Sequence, residues 1–180
     1  MNVCVFCSSS NDIADSYKKS AYDLGEKLAE SKHKLVYGGA TGGLMDAVAQ
    51  GAVSARGEII GIIPAVIIKN DRLSQLPTQL VQVSDMSERK KMMQEISDIF
   101  VVLPGNFGTL DEMFSVIASG VVGEHTKPLI CVNENGFFNT LITHIAFMQR
   151  ECATSKGKRY EPVFVNSVDE CLEKISNFSQ

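Results

Sequence analysis

No apolar run in this sequence approaches the ~20 residues that a membrane-spanning helix requires. The opening Met1-Asn2-Val3-Cys4-Val5-Phe6-Cys7 has neither the basic leader nor the long apolar segment of a secretory signal, so none is expected. An excess of basic charge is missing too: 17 Lys and Arg against 21 Asp and Glu leave a net charge of −4. Broad nucleic-acid binding draws on counterion release at a basic face and is therefore not expected, although a local basic cluster can still hold one small anion. No cluster of aspartates suggests a divalent-metal site, and His33, His125 and His144 share no metal-ligand spacing. There is no repeat, no low-complexity tract and no linker. Five scattered cysteines, an odd number in a chain large enough to do without disulfide staples, point to free thiols and a cytoplasmic location. Cys4-x-x-Cys7 falls along an expected strand, where residues three apart face opposite ways, which disfavours a metal or redox role.

What is present suits one domain, residues 1–180, with 44% hydrophobic and 21% charged residues, ample for a packed core. Short β-branched runs at 3–7, 34–37, 58–63, 80–83, 99–103, 129–132 and 163–165 alternate with helical patterns at 13–31, 43–55, 86–97, 109–122, 137–150 and 168–178. Most runs are apolar throughout, as strands covered on both sides are. The alternation predicts a Rossmann-like α/β fold, a doubly wound parallel sheet with helices on both faces. Ser167-x-x-Glu170 and Asp85-x-x-Glu88 read as helix caps, and the basic stretch at 156–159 as a solvated loop.

Ligands in such sheets sit beyond the carboxyl ends of the strands. Here those ends carry Ser8-Ser9-Ser10, Gly38-Gly39-Ala40-Thr41-Gly42-Gly43, Pro64, and residues 84–90 and 104–109. Glycines at 38–43 would let the backbone approach an anion closely and aim N–H groups at it. The segment lacks the dinucleotide fingerprint, since Ala40 stands where glycine is needed, and the P-loop, since Leu44 follows Gly43 where lysine is needed. Nicotinamide and nucleoside-triphosphate chemistry both lose support. A second glycine loop, around Gly105 and Gly108 with Thr109, opens a helix and could cradle one phosphate. Thr109-x-x-Glu112 can equally be a capping box with no other role. Arg89, Lys90 and Lys91 in the opening turns of a helix run against its dipole; a bound anion would offset that, and a solvated face is the plain alternative.

Pro104-Gly105-Asn106-Phe107-Gly108-Thr109-Leu110-Asp111-Glu112 resembles the P-G-G-x-G-T-x-x-E signature of the LOG ("lonely guy") family of nucleoside 5′-monophosphate phosphoribohydrolases, known for releasing cytokinins. The likeness runs over nearly the whole chain. Cys4-Val5-Phe6-Cys7-Ser8-Ser9-Ser10 is similar to the family's opening strand and turn, and Tyr37-Gly38-Gly39 through Gly43-Leu44-Met45 to its G-L-M segment. Ile60-Gly61-Ile62-Ile63-Pro64 fits as well, as does Met86-Ser87-Glu88-Arg89-Lys90, the M-x-x-R-K element. The resemblance implies Arg89 and Glu112 as the catalytic pair. It implies Lys90 and the loop Gly105, Asn106, Phe107, Gly108, Thr109, Leu110 and Asp111 as nucleotide ligands, with Ser8, Gly38, Gly39 and Met86 completing the substrate site. Asp71 falls where the family usually has glutamate. It further implies a homodimer with the site near the subunit interface, and no metal or organic cofactor. Members are also labelled lysine decarboxylases, yet nothing in the sequence suggests a pyridoxal-phosphate site.

This chain departs from the pattern at Asn106, Ala40, Asp46 and Ser8, each replacing a glycine, and at Ala118-Ser119, which replaces Thr-Trp; the preferred base is left open. Asn106 is a residue that tolerates left-handed backbone. The expected reaction is cleavage of an N-glycosidic bond in a nucleoside 5′-monophosphate such as AMP or a cytokinin riboside monophosphate, giving free base and ribose 5-phosphate. The alternative is a non-catalytic carrier of a nucleotide or phosphorylated cofactor, because fold alone does not fix function.

Overall fold

The computed structural model describes residues 1–152 and 160–178, so the basic stretch at 156–159 lies outside the described residues. Within them, seven strands form one sheet: β1 (Asn2–Phe6), β2 (Lys34–Tyr37), β3 (Ile59–Pro64), β4 (Gln79–Val83), β5 (Ile99–Val102), β6 (Leu129–Val132) and β7 (Val163–Val165). Their order is β4-β3-β2-β1-β5-β6-β7, and each neighbouring pair runs parallel. The helices are α1 (Asp15–Glu30), α2 (Gly43–Ser54), α3 (Ala65–Lys69), α4 (Met86–Ile96), α5 (Phe107–Val121), α6 (Asn139–Glu151) and α7 (Val168–Phe178), with a 3-10 turn at Glu134–Gly136. The doubly wound parallel sheet is the architecture the alternating pattern predicts. Helix α3 was not expected, because five residues are too few to show a helical period.

Both sheet faces are covered, which is why the strands are apolar throughout. Val3, Val5, Leu35 and Tyr37 pack with Leu24 and Leu28 of α1, Val48 of α2 and Ile175 of α7. Cys4, Phe6, Val36 and Val102 turn to the other face, against Met93 of α4 and Met113 and Val116 of α5. Cys4 and Cys7 thus lie in different cores, as residues three apart on a strand must. Helices α1 and α2 touch backbone to backbone: a Cβ on Gly51 would stand 2.0 Å from the Tyr22 carbonyl oxygen, and one on Gly25 1.9 Å from that of Val48. No described helix is long and apolar enough to cross a membrane.

The chain walks outward from β1 to β4, then returns to β5 at the other side of β1. Strands β1 and β5 therefore feed helices on opposite faces, α1 and α5, and their connections diverge. The carboxyl ends of such a pair leave a crevice.

Candidate active site

A cleft of about 580 Å³ opens at that switch point. One wall is the turn after β1, with Cys7, Ser8, Ser9, Ser10 and Asn11; a second is the glycine turn into α2, with Thr41, Gly42, Met45 and Asp46. The third is made by the starts of α4 and α5, with Met86, Arg89, Asn106, Gly108, Thr109 and Glu112, and Arg72 reaches in from the segment after α3.

Arg89 and Glu112 meet at the cleft, Nη2 to Oε1 at 3.2 Å, with side chains only 6% and 4% exposed. Local chemistry fixes both. Asp85 caps α4, its Oδ1 accepting from the Ser87 and Glu88 amides, while the Glu88 carboxylate reaches back to the Ser84 amide and hydroxyl. That sets Arg89 in the first turns of α4, facing inward. Gly38 leaves the space the guanidinium needs, since a Cβ there would sit 1.8 Å from Nη2. Burial pushes the Glu112 carboxyl up to about 7, while Arg89 pulls it down, Asp111 pushes it up and Lys90 pulls it down. Desolvation thus outweighs the pairing, as it commonly does for a buried ion pair with few supporting hydrogen bonds. Close as the two groups are, Nε and Nη2 of Arg89 have no hydrogen-bond acceptor among the described residues. Buried donors left unfilled are costly, and a ligand carrying oxygen or ring-nitrogen acceptors would satisfy them.

The capping alternative for Glu112 does not hold. Helix α5 begins at Phe107 with Asn106 as N-cap, which puts Glu112 beyond the first turn and inside the protein. Asn106 also differs from expectation: its backbone is extended, at φ −97°, and its Oδ1 accepts from the Phe107 amide, so no left-handed conformation is needed. The amides of Gly108 and Thr109, in the first turn of α5, have no acceptor among the described residues and lie at the cleft with the Thr109 side chain. Gly105 keeps Thr109 in place, since a Cβ there would meet Oγ1 at 2.1 Å.

The first glycine segment behaves otherwise. Its amides were expected to face an anion, but those at the helix end are taken by the protein: Thr41 N–H donates to the Arg72 carbonyl, Gly42 N–H to Asp46 Oδ2, Gly43 N–H to Asn11 Oδ1, and the following Leu44 N–H to the Ser8 carbonyl. The positive φ values of Gly42 and Gly43, 103° and 54°, serve a close approach of this turn to the Ser8–Ser10 backbone rather than to a ligand.

Of the other expected site residues, Ser8 and Met86 line the cleft, with Met86 Sδ accepting from Arg89 Nη1 at 3.6 Å. Gly38 and Gly39 are buried behind its walls, and Gly105 lines a shallow hollow next to the cleft with Ser8, Ser10 and Asn106. Lys90 forms a two-pronged bridge to Asp111, 2.8 and 2.9 Å, which ties α4 to α5 outside the walls. Leu110 packs against the core, Phe107 is 83% exposed, and Asp71 sits exposed in a left-handed turn after α3, at φ 56°. Sequence reasoning missed Asn11, Met45 and Arg72 as wall residues. Arg72 follows Asp71 directly, but no spacing rule says that its side chain turns inward to the Thr41 and Ser9 carbonyls.

Fold and site together define a doubly wound α/β protein whose ligand cleft, at the sheet's switch point, has a buried acid–guanidinium pair for its floor. A sequence family described as "Possible lysine decarboxylase" matches residues 45–175. A protein of Oryza sativa subsp. japonica named "Probable cytokinin riboside 5′-monophosphate phosphoribohydrolase" is 36% identical over 177 residues, 98% of this chain and 71% of its own. A cytokinin riboside 5′-monophosphate phosphoribohydrolase of Arabidopsis thaliana is 35% identical over 176 residues, 98% of this chain and 77% of its own. The chain belongs to this LOG family. Among solved structures, the molybdenum cofactor binding protein of Rippkaea orientalis shares the fold, with a TM-score of 0.76 at 22% identity over 99% of this chain and 97% of the other. An amino-acid decarboxylase that works through pyridoxal phosphate needs a lysine for the Schiff base. Among the described residues no lysine lines the cleft, and Lys90 is engaged by Asp111, so the residues described there do not fit that cofactor.

Proposed function

We propose that this protein is a phosphoribohydrolase that splits nucleoside 5′-monophosphates into free base and ribose 5-phosphate. The observation that carries the reading is the buried Arg89–Glu112 pair, set on the cleft beside the unfilled amides of Gly108 and Thr109. Those amides, the Thr109 hydroxyl and the positive end of α5 suit a 5′-phosphate, whose binding energy would position the sugar. Loss of the base builds positive charge on the ribose, which an ionised Glu112 stabilises while it orients or deprotonates water. Arg89 has donors to spare for the ribose or the departing base. A single nucleotide-binding domain in a reducing compartment such as the cytoplasm accords with five unpaired cysteines.

The test is chromatography for liberated base after incubation with nucleoside 5′-monophosphates and the matching nucleosides. Cleavage confined to the phosphorylated set is expected; binding without cleavage of any member would replace the enzyme by a carrier.

The same reading includes a homodimer across α5. Phe107, Phe114 and Val121 recur every seven residues along it and are 83%, 37% and 63% exposed, an apolar seam suited to a partner helix. Light scattering should give twice the 19.6 kDa chain mass, and a monomer at working concentration would remove the dimer from the proposal.

A further inference from the structure

The wall of the cleft formed by the glycine turn carries two opposite charges that the reaction described above does not use. Asp46 spends Oδ2 on the Gly42 amide at 2.7 Å, and Oδ1 accepts nothing from the described residues. Arg72 spends Nη2 on the carbonyls of Thr41 (2.9 Å) and Ser9 (3.4 Å), and its Nε and Nη1 donate to nothing among them. Neither charge has an ionic partner within 4 Å among the described residues, and both line the cleft from anchors on the adjacent residues Thr41 and Gly42. Together they offer one free carboxylate oxygen and two free donor nitrogens, each group tethered to the backbone by its other atom and so pre-oriented.

A phosphate on the start of α5 and an anomeric carbon at Glu112 would both occupy the third wall, which leaves the β1 turn and the glycine turn, with Arg72, to face the base. Resting on the phosphoribohydrolase reading, we propose that Asp46 and Arg72 determine base specificity: they select a base whose exocyclic amino group is free. The amino group donates to Asp46 Oδ1, and a neighbouring ring nitrogen accepts from Arg72, the pattern of adenine. A 6-oxopurine presents the reverse at that edge, an oxygen facing a carboxylate and an N–H facing a guanidinium. An alkylated amino group, as in a cytokinin nucleotide, would press an apolar chain on a wall of Asn11, Thr41, Asp46 and Arg72, and among the described lining residues Met45 and Met86, with the buried Cys7, are the apolar ones. A site that hydrogen-bonds a substrate edge rejects the analogue lacking it far better than an apolar pocket rejects a methylene.

The test compares kcat/KM for AMP, IMP and N6-isopentenyl-AMP. The wild type is expected to favour AMP over each of the others at least about tenfold. Asp46→Asn keeps size and an acceptor for the Gly42 amide but can turn a donor towards an oxo group, so the AMP-to-IMP ratio should fall about tenfold or more. Arg72→Lys, which keeps the charge without the fork, should erode the same ratio through KM rather than kcat. If both variants slow AMP and IMP equally, the two residues merely brace the turn, and a wild type indifferent to the 6-substituent overturns the proposal as well. Titration calorimetry with the same three nucleotides separates the two readings. A protein that cleaves none of them yet binds AMP at least tenfold more tightly than IMP, with the difference lost in Asp46→Asn, refutes the hydrolase and keeps the base site.

Discussion

Glu112→Gln is expected to bind nucleoside monophosphates as the wild type does and to lose at least ~100-fold in base release, the lower range for a positioned acid–base group. The substitution keeps the shape of a side chain that is 4% exposed and removes only its capacity for negative charge. Phosphate contacts at Gly108 and Thr109 lie a turn away and are untouched, so the loss should fall on kcat with KM little changed, the mark of an interaction made in the transition state. Asp111, next in sequence, makes a useful contrast: it is exposed and paired with Lys90, so Asp111→Asn should leave kcat near the wild-type value. Wild-type turnover in Glu112→Gln would remove the carboxylate from the mechanism and, with it, the main reason for calling the cleft an active site.

That Glu112 matters could be suspected from the sequence, but which of its two roles it plays could not. Thr109-x-x-Glu112 has the spacing of a capping box, and spacing cannot tell where the helix begins. Because α5 starts two residues before Thr109, at Phe107, the same spacing turns the carboxylate inward towards Arg89. The strands were legible for a simple reason: apolar throughout and bounded by turn residues, they admit little except a covered parallel sheet. Their order was not, because the return of β5 to the flank of β1 is decided by packing among distant residues. The glycines at 38–43 misled in the opposite sense. Glycine marks close approach of something, and here that something is the protein's own Ser8–Ser10 backbone, held by Asn11 and Asp46. Arg72 and Asn11 were invisible, since a side chain in an irregular segment has no period from which its direction can be read.

Arg89→Met should lower kcat/KM at pH 7 at least ~10-fold and move the acid limb of the pH profile upward by a unit or more. The sign follows from what acts on Glu112. Burial raises its carboxyl to about 7, and Arg89 is the largest opposing influence. A role in stabilising cationic ribose needs the ionised form, so wild-type activity should climb as pH rises through 7 and level off above it. Below that point it should fall tenfold per pH unit. Methionine fills much of the space without the charge, leaving burial unopposed by its main counterweight. The carboxylate fraction at pH 7 then drops, and part of the lost rate returns above pH 8. The nucleotide's phosphate contributes its own ionisation near pH ~6, but that limb belongs to the substrate and should persist in the residual rate of Glu112→Gln. A uniform drop at every pH, with the limb unmoved, would mean that Arg89 serves the leaving base or the ribose directly and does not govern the charge on Glu112.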